Sequence, residues 1–175
     1  MTVHPQAEVE PGAVVGAGTR IWRWAHVRAG ARIGRDCVLG EGVFVDGGVC
    51  LGDRVKLESD VAVFSGVTMG DDVVVGRGAT FAGDRLPPRL AATLVGCGVR
   101  VGAHASVAGG VELGACCVVE AEAVVTDSVP AGAVAAARST ASANGPCDCG
   151  SPPAARPICP RCGRGSPAGM AQVGP

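Results

Sequence analysis

A bulky apolar residue returns at every sixth position from Val3 to Phe81, through Val9, Val15, Ile21, Val27, Ile33, Leu39, Val45, Leu51, Leu57, Val63, Met69 and Val75. Four residues after each of the first thirteen stands a small or branched residue, as in Ala7, Ala25, Cys37, Val43 and Ala79. Positions six apart on an α-helix differ by about 240° around its axis, which would scatter this set over every face. On a short strand, residues i and i+4 share parity and point to one side. Glycines and polar residues between them turn corners. The pattern predicts two-residue strands joined by tight corners, with three hexapeptides closing a triangular coil of about 18 residues and coils stacked about 4.8 Å apart by parallel pairing. The fold class is therefore all-β, a parallel β-helix.

The register breaks at Asp84–Leu94, where Pro87 and Pro88 exclude a central strand. It resumes from Val95, shifted by two, through Val101, Val107, Leu113, Val119 and Val125. The spacing thus assigns 1–134 to the β-helix with an excursion loop at 84–94. Loops on rigid scaffolds concentrate function. After Val129-Pro130 the pattern decays into Ala133–Ala143, read as a short capping helix or a linker, with 135–146 as the cap. The segment 164–175 reads as disordered.

Composition supports a narrow core. There are 28 glycines, 47% hydrophobic residues, no Tyr, two Trp and three Phe, so stacked Val, Ala and Gly must fill the interior. Trp22 and Trp24, flanking inward Ile21 and Ala25, are expected outside, against another subunit, a ligand or a neighbouring loop. A net charge of −1 advertises neither nucleic acid nor an anionic membrane. No apolar run is long enough to span a bilayer and no signal-peptide pattern opens the chain, so a cytoplasmic location is expected. Of the nine cysteines, Cys37 and Cys117 take inward companion positions as small core residues. Cys147, Cys149, Cys159 and Cys162 form two thiol pairs, each followed by Gly, within 147–163, and are candidate ligands for a structural zinc.

Residues 18 apart stack along one face. Arg28, Asp46, Phe64 and Ala82 form one outward column leading to the loop, and His4, Trp22, Gly40, Glu58 and Gly76 another, where Glu58 and Asp60 can orient an amine or accept its proton or stand as solvated turn carboxylates. His104 sits at a corner. His4, His26 and His104 fall on different coil levels and faces, which excludes the three convergent imidazoles of a zinc hydratase.

The hexapeptides from Val3 to Val129 resemble those of left-handed β-helix acyltransferases, and the left hand comes from that resemblance alone. Within that superfamily, His4-Pro5, Gly18-Thr-Arg-Ile-Trp22 with His26, Gly30-Ala-Arg-Ile-Gly34, Val43-Phe-Val45, Val55-Lys56, Phe64, Gly66-Val67, Pro88-Arg89 and Thr93-Leu-Val95 are similar to the N-acetyltransferases acting on UDP-2-acetamido-3-amino-glucuronate or dTDP-3-amino-deoxyhexoses. The resemblance implies a homotrimer with acetyl-CoA in the groove between subunits. His26 joins Glu58 and Asp60, placed above by the column, as a catalytic candidate, and the resemblance implies sugar-nucleotide contacts from Trp22, Arg28, Phe64, Gly83, Asp84 and Arg89 and CoA contacts from Gly109, Gly110 and Arg138. The chain departs from the family at Glu58-Ser59-Asp60, at Phe81-Ala82-Gly83, in a shorter excursion after Asp84 and in Ala135–Arg138. The competing reading is a catalytically inactive structural β-helix or partner subunit.

Overall fold

A computed structural model describes residues 1–82, 92–136 and 141–142. Among these, every regular element is a strand. They stack as three parallel sheets into a β-solenoid of about seven turns, and the hexapeptides fit a left-handed β-helix. The first face is built on Thr2–Val3, Arg20–Ile21, Val38–Leu39, Lys56–Leu57, Val74–Val75, Arg100–Val101 and Val118–Val119. The second carries Glu8–Val9, His26–Val27, Phe44–Val45, Ala62–Val63, Thr80–Phe81, Ser106–Val107 and Val124–Val125. The third runs through Val14–Val15, Arg32–Ile33, Cys50–Leu51, Val67–Met69, Thr93–Val95 and Glu112–Leu113. Registers such as His26↔Phe44 and Val27↔Val45 give the 18-residue coil directly.

The inward residues are the expected ones. From Ile21 onward each bulky position and its companion is buried, including Val27, Leu39, Val45, Leu57 and Val63. The core admits one ring. Phe81 is fully buried because the second-face companions beside it, Ala79 and Ala105, are alanines where Val43 and Val61 stand lower in the stack. Thr19 is tolerated inside because its hydroxyl donates to the Gly34 carbonyl at 2.8 Å and accepts the Cys37 N–H at 3.1 Å. Cys37 and Cys117 are buried. Burial pushes both thiols up, Cys117 to about 11, which fits small core residues rather than reactive ones.

Three boundaries differ from expectation. The repeat resumes at Thr93, not Val95, because Thr93, Leu94 and Val95 pair with Val67, Thr68 and Met69. Thr93 fills a companion site inside, and its Oγ1 accepts the Gly110 N–H at 2.9 Å. The excursion is therefore two residues shorter at its C-terminal end than the spacing suggested. Next, the coil contracts after Val125: Val129 takes the third-face position, bridging to Leu113, four residues on instead of six. Pro130 follows outside the ladder, and the repeat continues to a strand at Val134–Ala135 that pairs with Val118–Val119. Finally, Ala141–Ser142 pairs antiparallel with Val134–Ala135, so a returning strand stands where a capping helix or linker was expected. The open backbone edge of the last strand outweighs the helix propensity of the alanines, because propensity yields to tertiary pairing.

Most corners turn on a left-handed residue. Two edges mix glycine with others: between the first and second faces stand Trp24, Gly42, Asp60, Gly78, His104 and Glu122, all with φ near 60°. The edge between the second and third faces uses glycine alone at Gly12, Gly30, Gly48, Gly66 and Gly110. A Cβ at Gly48 or Gly66 would meet nothing within 4 Å, so conformation and not space favours glycine there. Gly34 is the opposite case. Its Cβ would lie 2.3 Å from the Gly52 carbonyl oxygen, and the backbone ladder holds that oxygen in place. We expect Gly34→Ala to lower stability by about 3 kcal/mol and Gly48→Ala by about 1 kcal/mol, the left-handed strain alone. Urea midpoints of the two variants check the order.

Candidate functional site

The second face and the glycine edge beside it carry a continuous row of interacting side chains. The alternation that points Val9, Val27, Val45 and Val63 inward turns Glu8, His26, Phe44 and Ala62 outward, one above another. One residue past each inward position, at the start of the corner, stand Glu10, Arg28, Asp46, Phe64 and Ala82, each N–H donating to the next coil, as Arg28 N does to the Val45 carbonyl at 2.9 Å. Ala82 lies three coils above Arg28, roughly 14 Å at about 4.8 Å per coil, and is the last described residue before the excursion.

Glu10 joins three groups. Its Oε1 lies 2.9 Å from His26 Nε2 and 3.7 Å from Arg28 Nε, while Oε2 accepts the Ala29 N–H at 2.8 Å. That N–H, then the imidazole, hold the Glu10 carboxyl below its ordinary range. Arg28 Nη1 donates to Asp46 Oδ1 at 3.0 Å, and the Gly47 N–H donates to the same oxygen at 2.8 Å, which satisfies a carboxylate that is buried. The rings continue the row: His26 meets Phe44 edge-on at 5.7 Å between centroids, and Phe44 meets Phe64 at 5.6 Å. Exposed ion pairs contribute only about 0–1 kcal/mol. A row alternating charge and aromatic surface is therefore suited to a ligand carrying both.

A group whose folded-state pKa is depressed contributes stability above its unfolded value and loses it as pH falls through the folded one. Glu10 is such a group, as is Asp72, whose carboxyl is lowered by the hydrogen bonds from Arg54. The wild-type protein is expected to lose stability below the ordinary carboxylate range more steeply than Glu10→Gln. Denaturant midpoints taken from neutral pH into that range measure the difference.

The structure brings His26, Arg28 and Phe64 together on this row. Glu58, Asp60 and Trp22 lie on the other edge of the second face. There, Glu58 Oε2 accepts the Arg77 N–H at 3.2 Å and Oε1 is 3.8 Å from Lys56 Nζ. Asp60 is a left-handed corner whose Oδ1 lies 2.5 Å from where a Cβ on Gly42 would be, and His104 covers Gly78 in the same way. Trp22 and Trp24 are 55% and 59% exposed, with the Arg23 guanidinium 4.7 Å over the Trp24 ring and paired to Glu41 at 2.9 Å. Gly109 and Gly110 sit on the glycine edge above the excursion. Gly83, Asp84, Arg89, Arg138 and the thiols Cys147, Cys149, Cys159 and Cys162 lie outside the described residues. Among the described residues no group of three or more His, Cys, Asp or Glu is disposed to hold a metal ion, and no helix is long and apolar enough to cross a membrane. Sequence reasoning missed Glu10 and Phe44. Carrying the 18-residue step one coil below Arg28 and one above His26 reaches both.

Comparison with known proteins agrees with the repeat. Residues 12–47 match the family model described as bacterial transferase hexapeptide (six repeats). No curated protein matches the chain. Among solved structures, the acetyltransferase domain of PglB from Neisseria gonorrhoeae, in complex with acetyl coenzyme A, is 20% identical over 80% of this chain and 55% of its own, with a TM-score of 0.40. PerB from Caulobacter crescentus, in complex with CoA and GDP-perosamine, is 23% identical over 80% and 56%, with a TM-score of 0.43. The UDP-N-acetylglucosamine acyltransferase from Campylobacter jejuni is 15% identical over 81% and 74%, with a TM-score of 0.45. The chain thus spans little more than half the length of the first two, and likeness at this level bears on neither reaction nor substrate. The matched segment and the coils that continue its period make this chain a hexapeptide-repeat β-helix protein, similar over residues 12–47 to the bacterial transferases of that repeat.

Proposed function

We propose that the protein is an acetyl-CoA-dependent N-acetyltransferase acting on the amino group of a nucleotide-linked amino sugar, of the UDP-3-amino-glucuronate or dTDP-3-amino-deoxyhexose type, and that it works as a homotrimer. The observation that carries this reading is the row from Glu10 and His26 through Arg28, Phe44 and Phe64 to the root of the excursion, beside an edge free of side chains at Gly30, Gly48, Gly66 and Gly110. Charged and aromatic groups in one line suit the phosphates, base and sugar of a nucleotide sugar. A bare backbone edge suits the thin arm of CoA, with Gly109 and Gly110 at its far end, four coils or roughly 19 Å from Gly30.

In this reading the amine attacks the thioester carbonyl, the N–C bond forms and the C–S bond breaks. The amine proton passes to His26, and CoA leaves as thiolate and is then protonated. Arg28 and Phe64 hold the nucleotide sugar with Trp22 and the loop residues Gly83, Asp84 and Arg89, and Arg138 closes on CoA. Glu58 and Asp60, on the same coil as Phe64 but across the second face, orient the sugar that bears the amine. Positioning supplies much of the rate in such a reaction, because an amine is already a good nucleophile toward an activated acyl group. The four thiols of the C-terminal segment belong to this reading as a structural zinc site, which metal analysis of the intact chain and a Cys159→Ser, Cys162→Ser variant tests.

The deciding experiment mixes the protein with acetyl-CoA and a panel of UDP- and dTDP-linked amino sugars and follows release of free thiol, with thermal shifts by CoA and by each nucleotide sugar recorded in parallel. Thiol release with one of the panel supports the enzyme. No release, together with no stabilisation by either ligand class, sinks it in favour of a structural β-helix.

A further inference from the structure

We propose that Glu10 is a positioning residue for His26, holding the imidazole as its Nε2–H form so that Nδ1 is the nitrogen left to accept the proton of the attacking amine. The inference rests on the acetyl-transfer reading for the amine, but its first half stands on geometry alone. Glu10 is fixed at both oxygens, with the Ala29 N–H on Oε2 at 2.8 Å and His26 Nε2 at 2.9 Å from Oε1. A carboxylate only accepts, so the ring nitrogen facing it must carry the hydrogen. A neutral imidazole with its hydrogen on Nε2 has a single lone pair available, on Nδ1.

The surroundings keep that arrangement. Arg28 stands 3.7 Å from the same Glu10 oxygen and is itself anchored to Asp46, so Glu10 faces a cation that favours its ionised form. The Phe44 ring meets the imidazole edge-on from the coil above and limits rotation of its plane. The charged groups around His26 are Glu8, its register partner in the coil below, Glu10 and Arg28 on the corner, and Asp46 on the corner of the coil above, held by Arg28; Phe44 covers the ring from that coil. Held this way, the ring does not have to choose a tautomer when substrate binds.

Glu10→Gln tests the assignment, because Glu10 meets the Ala29 N–H and the imidazole with two different oxygens, and glutamine keeps an oxygen at only one of those two places. Nitrogen NMR of isotopically labelled protein, above the pH at which the imidazole titrates, reads the tautomer directly. The wild type should show His26 with its hydrogen on Nε2, and Glu10→Gln should show a mixture of both forms while melting as a folded protein. In the thiol-release assay, Glu10→Gln should lose about a hundredfold in kcat with KM for both substrates nearly unchanged. A wild-type His26 carrying its hydrogen on Nδ1, a Glu10→Gln protein with the wild-type tautomer, or one with wild-type kcat overturns the assignment. If the wild type shows the Nε2–H form but transfers acetyl to no amino-sugar nucleotide, the catalytic half and the functional reading fall together, while the hydrogen-bonding half is supported.

Discussion

Replacing Phe81 with alanine is expected to lower the free energy of unfolding by about 3–5 kcal/mol, the largest stability effect of any single truncation in this core. Phe81 is fully buried and is the largest of the fully buried side chains. It pairs with Val63 on one side and Val107 on the other, at the last strand before the excursion. In a compact globular core, neighbours on many sides relax into a cavity. A solenoid coil has neighbours only above and below, and hydrogen bonds such as Phe64 N to the Phe81 carbonyl at 3.1 Å and Ala82 N to the Val107 carbonyl at 2.8 Å hold the coil spacing. The alanines at 79 and 105 that make room for the ring cannot fill the space it leaves. Phe81→Leu, which keeps most of the volume, should cost less than about 1.5 kcal/mol. Urea denaturation of both variants gives the comparison. A Phe81→Ala loss no larger than that of Phe81→Leu would mean that the coil collapses around the gap and that the stack is softer than its ladder implies.

The second large effect falls on turnover. His26→Gln should reduce kcat for acetyl transfer by about 10²–10⁴-fold, the usual contribution of a placed general base, with CoA still stabilising the protein against heat. Because His26 is only half-buried and its ladder hydrogen bonds come from the backbone, the variant should fold with stability within about 0.5 kcal/mol of wild type. Steady-state thiol release, compared at saturating acetyl-CoA, measures the loss. Turnover within a few-fold of wild type would remove His26 from the proton path and move that role to Glu58 or Asp60, whose Glu58→Gln and Asp60→Asn variants would then be the ones to fail.

The coil interior was legible position by position. Val27, Leu39, Val45, Leu57 and Val63 are inward because parity within a six-residue unit leaves no other arrangement. The outward column Arg28, Asp46 and Phe64 was legible as a column, since it needs only the 18-residue step. Its bonding was not. The step says that Arg28 lies under Asp46, but not that Asp46 is buried and caps Gly47, nor that Glu10 turns toward His26, sixteen residues away, rather than toward Arg28 alone. The corner residues were half legible. Asp60 and Glu58 could be placed on an edge, but the fold-back of Asp60 over Gly42 follows from its left-handed backbone, which the period does not encode. The ends were misread for a simple reason. Thr93 is a companion with no coil residue just before it to set the register, and Ala135 fills a bulky position with a small side chain, so only their pairing with Val67 and Val119 identifies them.

By itself the sequence determined the coil, its number of sides and the inward set, because alternation over two residues and a corner every six are local constraints that each hexapeptide satisfies alone. Only the tertiary structure decided where the excursion ends, how the last coil contracts at Val129, that an antiparallel strand closes the stack, and which outward side chains touch. Those outcomes depend on side chains reaching from one coil to the next, and a six-residue period repeats identically at every level, so it carries no information about which neighbour a given carboxylate or imidazole will choose.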